Sequence, residues 1–62
     1  MSERPMNYYA ITYRYRRAGR IDVQTRTFAA PDLGTALSEA MRMGKEFFGR
    51  RFWEIIGWRC AK

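Results

Sequence analysis

Apolar and polar residues alternate along the first third of this chain. From Tyr8 to Arg16, the residues Tyr9, Ile11, Tyr13 and Tyr15 fall on one side of an extended strand. Tyr8, Ala10, Thr12, Arg14 and Arg16 fall on the other, because successive side chains of a strand point to opposite faces. A second run, "IDVQTRT", separates Ile21, Val23, Thr25 and Thr27 from Asp22, Gln24 and Arg26 in the same way. Between the runs, Arg17-Ala18-Gly19 reads as a three-residue hairpin loop, with Gly19 in the left-handed position such loops need. That loop predicts a register in which Tyr15 faces Ile21, Tyr13 faces Val23 and Ile11 faces Thr25. On the other side Arg14 then faces Asp22, an opposite-charge pair. A two-residue loop slips the register by one and sets tyrosines against Asp22 and Gln24, so the longer loop is the expected one.

The period changes after residue 30. In "AAPDLGTALSEAMRMGKEFFG", Leu33, Ala36, Leu37, Ala40, Met41, Gly44, Phe47 and Phe48 recur at helical spacing and form one apolar face. Pro31 fits the first helical position, Asp32 the positive N-terminal end and Gly49 the left-handed stop. Thr35, Ser38, Glu39, Arg42, Lys45 and Glu46 make the water-facing side, and the small residues Ala36, Ala40 and Gly44 allow close approach to a sheet. The last run, "RFWEIIGWRCA", alternates cleanly only with a bulge at Gly57. Trp53, Ile55, Trp58 and Cys60 then point inward, and Glu54, Ile56 and Arg59 outward. The expected fold class is α+β, in the order ββαβ: a three-stranded antiparallel sheet, first strand in the middle, with one helix packed on one face. Residues 1–6, "MSERPM", read as a flexible N-terminal segment, and residues 7–62 as a single domain.

Composition adjusts this picture in a few places. Ten aromatics in 62 residues supply a core, yet so short a chain buries only about 60% of its unfolded surface. Self-association through a sheet edge would supplement its stability. A single cysteine, Cys60, permits no disulfide within the chain, and there is no histidine. No paired carboxylate, metal-ligand cluster or phosphate-cradling glycine loop is legible, so neither catalysis nor a cofactor nor a metal is expected. No apolar run approaches the ~18 residues of a membrane span and no signal-peptide pattern opens the chain, which predicts a cytoplasmic protein.

Charge is the strongest global signal. The net charge is +6, and ten of the twelve basic residues are arginine. Arginine forks onto phosphates and carboxylates and stacks on aromatic planes. A genome rich in arginine codons gives the same composition, so position has to decide. The ββαβ path brings Arg16, Arg17 and Arg20 to the same end of the sheet as Arg50 and Arg51. The uncovered sheet face is expected to expose Tyr8, Arg14 and Arg26, with Phe52 and Ile56. Aromatics beside arginines on an open sheet suit single-stranded nucleic acid, held by stacking and phosphate contacts; the same face equally suits packing against a second copy as a homodimer. DNA or RNA is therefore the leading expected partner, and an acidic host protein complex the alternative.

The succession "YYAITYRYR…IDVQTRTFAAPDLGTALSEAMRMGKEFFGRRFWEI" also resembles, across nearly the whole chain, very small phage and mobile-element proteins built as hairpin, helix and closing strand. Some anti-CRISPR proteins share this style, including the helix opening "AAPDLGTALSEA" after the second strand. The resemblance implies a partner in a CRISPR surveillance complex or similar defence machinery. Many anti-CRISPRs are acidic and imitate nucleic acid; a basic chain in that role covers an acidic protein patch or holds nucleic acid itself.

Overall fold

In a computed structural model, which describes residues 6–61, the elements follow in the order β1 (Asn7–Arg17), β2 (Arg20–Ala30), α1 (Leu33–Phe48) and β3 (Trp53–Ala61). The strands form one antiparallel sheet ordered β2-β1-β3, so β1 is central, as expected. With one helix, the fold is α+β in the order ββαβ. Except for Met6, the segment expected to be flexible lies outside the described residues. Among the described residues no helix is long and apolar enough to cross a membrane.

The hairpin departs from the expected register. Arg17 pairs directly with Arg20, and Ala18-Gly19 alone make the turn, both left-handed at φ 50° and 76°. Two-residue turns of this kind match the right-handed twist of long strands. Tyr15 therefore faces Asp22, Tyr13 faces Gln24, Ile11 faces Arg26, and Arg14 faces Val23 rather than Asp22. The reason lies beyond "IDVQTRT". The three-residue loop would turn Phe28 and Ala30 away from the helix, although α1 departs from that end of β2. In the observed register Ala30 is buried and Phe28 packs against the core. Ile21 and Val23 are displaced to the open face, 50% and 59% exposed.

Asp32 caps the helix, its carboxylate accepting from the Thr35 backbone N–H at 2.8 Å. Pro31 thus precedes the cap instead of opening the helix. At the other end Gly49 adopts φ 61° and ψ −122°, a positive φ that glycine takes without a Cβ clash, and its N–H donates to the Lys45 carbonyl. Ala36, Ala40, Gly44 and Phe48 form the buried stripe, flanked by Leu33, Leu37 and Phe47. Met41, expected on that face, is 57% exposed, because the stripe is centred on the small residues and Met41 falls beyond its edge.

Small residues matter here because the helix lies very close to the sheet. A Cβ placed on Gly44 would come within 2.6 Å of the Trp53 ring. Tyr13 is the centre of the core: it is fully buried and its hydroxyl donates to the Ala40 carbonyl at 2.5 Å. Phe47, Phe48 and Trp53 meet its ring edge-on, and Phe48 stacks on Tyr15 at 4.5 Å between centroids. Burial raises the Tyr13 phenol above its ordinary pKa, with the Arg26 charge pulling weakly the other way. Tyr9 is buried and Tyr15 half-buried, in keeping with a core role for the inward tyrosines.

β3 carries the expected bulge. Its register with β1 slips between Thr12, which faces Gly57, and Tyr13, which faces Ile55, leaving Ile56 as the extra residue. Trp53, Ile55, Trp58 and Cys60 consequently share the helix side. The helix does not reach them all: Trp58 is half exposed and Cys60 is exposed.

Two substitutions test this packing. Ala18→Asn should raise stability by about 1 kcal/mol, because alanine is strained in the left-handed region and asparagine is favoured in such turns. A lowered urea midpoint would contradict the two-residue turn. Gly44→Ala should destabilise by about 1–3 kcal/mol through overpacking against Trp53, although alanine is the better helix former by ~1 kcal/mol. A stabilised variant would mean that the helix stands off the sheet.

Candidate nucleic-acid interface

The strand path determines where the basic residues collect. Arg16 and Arg17 end β1, Arg20 opens β2, and Arg50 and Arg51 lie in the link between α1 and β3. The Arg16 N–H donates to the Phe52 carbonyl at 3.0 Å and the Arg51 N–H to the Phe48 carbonyl at 3.1 Å. The link is thereby pinned beside the end of β1. All five arginines are exposed. Arg17 and Arg20 lie on the helix side of the sheet and Arg16 on the open side, by the alternation of the strands.

No described ion pair offsets the charge at this end. The described ion pairs are Arg14–Glu54 and Arg42–Glu39, and none of the five arginines takes part in one. Arg17 and Arg20 stand directly opposite each other in the ladder, an arrangement that costs stability. Arg50 and Arg51 follow the negative end of the helix, where cations are favoured. Asp22 lies on the same side of β2 as Arg20, two residues along.

The remaining predicted site residues are scattered. Arg14 lies on the open face as expected, but its guanidinium bonds to Glu54, its register partner on β3, which offsets its charge. Arg26, expected on the open face, is on the helix side, with its guanidinium carbon 3.9 Å from the Phe47 ring centroid, a cation–π contact. This correction follows from the one-residue change of register. Tyr8 is on the open face and 50% exposed, yet it stands eight residues from Arg16, roughly 26 Å along the strand. The structure therefore brings together Arg16, Arg17, Arg20, Arg50 and Arg51, and it leaves Tyr8, Arg14 and Arg26 apart from them.

Sequence reasoning placed Phe52 and Ile56 on the open face but missed Ile21 and Val23, which also border this end. On the open face Arg16 sits between Ile21 on β2 and Phe52 beside β3, and Arg14 lies next to Val23. Ile21, Val23, Phe52 and Ile56 are each about half exposed or more. The parity of Phe28 and Ala30 was the available signal that Ile21 and Val23 would face outward. No cavity opens among the described residues. Comparison of the chain with known protein families, with curated proteins and with solved structures finds no match.

The opposed pair at the turn has a measurable consequence. Arg20→Gln should stabilise the free protein by about 0.2–1 kcal/mol at low ionic strength, with the gain shrinking as salt is added. Thermal melts at two salt concentrations check this; a loss of stability, or a gain indifferent to salt, would contradict the opposition of Arg17 and Arg20.

Proposed function

We propose that this chain is a small basic, non-catalytic binding module that holds DNA or RNA through the end formed by Arg16, Arg17, Arg20, Arg50 and Arg51. The observation that carries the reading is that these five exposed arginines, drawn from three parts of the chain, share one end without a described ion pair, while Arg14 and Arg42 have acids. Guanidinium groups bond phosphate oxygens two at a time, so a cluster of them follows a backbone of phosphates. Phe52, half exposed beside Arg16, adds a ring on which one unpaired base can stack. A cytoplasmic setting accords with this role.

A second reading is favoured by Ile21 and Val23. Aliphatic side chains on an open face offer bases no stacking surface, and they suit a protein partner. In that reading the same arginines dock on an acidic patch of a host complex, as an inhibitor of the anti-CRISPR style would.

Fluorescence anisotropy with short single- and double-stranded DNA and RNA, titrated with salt, separates the two. Binding should weaken steeply, with a log–log slope of roughly −4.5 on duplex DNA or roughly −3.5 on a single strand if all five arginines meet phosphates. Arg17→Glu with Arg51→Glu should cost at least about tenfold in affinity, a loss of ~1.4 kcal/mol, and leave the circular dichroism unchanged. Unaltered binding by the double variant would remove the arginine end as the site. Absence of binding at about 50 mM salt would overturn the nucleic-acid reading and leave the acidic partner, to be sought with the same variant as the control.

A further inference from the structure

β2 has β1 on one side and, among the described residues, no strand on the other. A single hydrogen bond reveals which of its backbone groups remain unused. The Arg16 N–H points to Phe52 on the β3 side, and backbone groups alternate in direction along a strand. The odd-numbered residues of β1 therefore bond to β2, and their register partners are the even-numbered residues of β2. The N–H and C=O groups of Ile21, Val23, Thr25, Thr27 and Ala29 face outward along the edge. No proline, lysine or bulge interrupts β2, whereas the opposite edge, β3, is broken by its bulge at Ile56. A long regular edge is a template for another strand.

We infer that the strand it accepts is β2 of a second copy, paired antiparallel about a two-fold axis at Gln24. A two-fold perpendicular to the sheet keeps both helices on one face, so residues of like facing meet. With the axis at Gln24, Val23 meets Thr25 and Ile21 meets Thr27 as hydrogen-bonded pairs, using the free groups of both edges. Asp22 then meets Arg26 twice, once on each side of the axis. Both are non-hydrogen-bonded pairs, in which the Cα atoms approach to about 4.5 Å and the side chains are closest. Moving the axis to Val23 sets Arg20 against Arg26, and moving it to Thr25 sets Asp22 against Phe28. Of these registers only the one at Gln24 satisfies both charges. Arg26 is already oriented by its place over the Phe47 ring.

The arginine ends of the two copies do not meet in this arrangement. The axis separates the two Arg20 positions by roughly 26 Å along the strands, several times the Debye length of about 8 Å. The helices clear one another as well. Centred over β1 or between β1 and β2, their axes lie roughly 10–14 Å apart, no closer than ordinary helix contacts of about 8–10 Å.

Sedimentation equilibrium on the full chain without nucleic acid tests the pairing independently of the proposed function. The wild type should dimerise with rising concentration. Asp22→Arg and Arg26→Asp should each raise the dissociation constant at least about tenfold, since each sets like charges opposite one another twice. The variant carrying both changes should recover the wild-type value to within about threefold. In the unaltered protein, amide exchange at Val23, Thr25 and Thr27 should slow with concentration while exchange on β3 does not. A wild type that stays monomeric, single variants that dimerise as the wild type does, a double variant that fails to recover, or edge amides indifferent to concentration would each overturn the inference.

Discussion

Because side chains alternate with a period of two, the turn at Ala18-Gly19 commits both eleven-residue strands of the hairpin to a facing at once. With two turn residues, Phe28 and Ala30 join Tyr9, Ile11 and Tyr13 under the helix, where the Tyr13 hydroxyl donates to the Ala40 carbonyl. The turn itself is strained, since Ala18 takes a left-handed φ that costs about 1–2 kcal/mol for a residue with a Cβ. That strain is opposed by the packing of Phe28 and Ala30 under the helix, which a slip of one residue would exchange for Ile21 and Val23. Ile21 and Val23, nearest the turn, lie on the open face.

The same constraint sorts the charges. It places Asp22, Gln24 and Arg26 in one row along the free edge of β2, on the helix side, and it pairs Arg14 with Val23 and leaves its charge to Glu54 across the sheet. The arginine end behaves differently. Arg16, Arg17, Arg20, Arg50 and Arg51 share an end because strand, turn and helix reverse direction in sequence, and any ββαβ chain of these lengths would gather them whichever face each side chain took. The part of the site that carries the functional proposal thus rests on topology, and the part that carries the edge pairing rests on register.

That difference explains what the sequence made legible. Alternation in β1, the small-residue stripe of α1 and the bulge near Gly57 are local patterns, each written in a few neighbouring residues, and each was read correctly. Turn length is not local. Ile21 and Val23 look like core residues, and only the distant parity of Phe28 and Ala30, together with the position where the helix begins, outweighs them. The misplacement of Arg26 and of Asp22 follows from that one choice. The two-residue difference at Pro31 has another source: proline suits the position before a cap as well as the first turn, and the Asp32 side chain decides by bonding Thr35. Met41 was read by spacing alone, which does not say how wide a face the sheet covers.

Cross-strand contacts between α-protons, measured by nuclear Overhauser spectroscopy, test the register directly. They are strongest in non-hydrogen-bonded pairs, whose Cα atoms are about 4.5 Å apart against about 5.5 Å in the hydrogen-bonded ones. The account predicts strong contacts between Thr12 and Thr25, Arg14 and Val23, and Arg16 and Ile21. Strong contacts between Tyr13 and Val23 and between Ile11 and Thr25 would contradict it, and would return Ile21 and Val23 to the core.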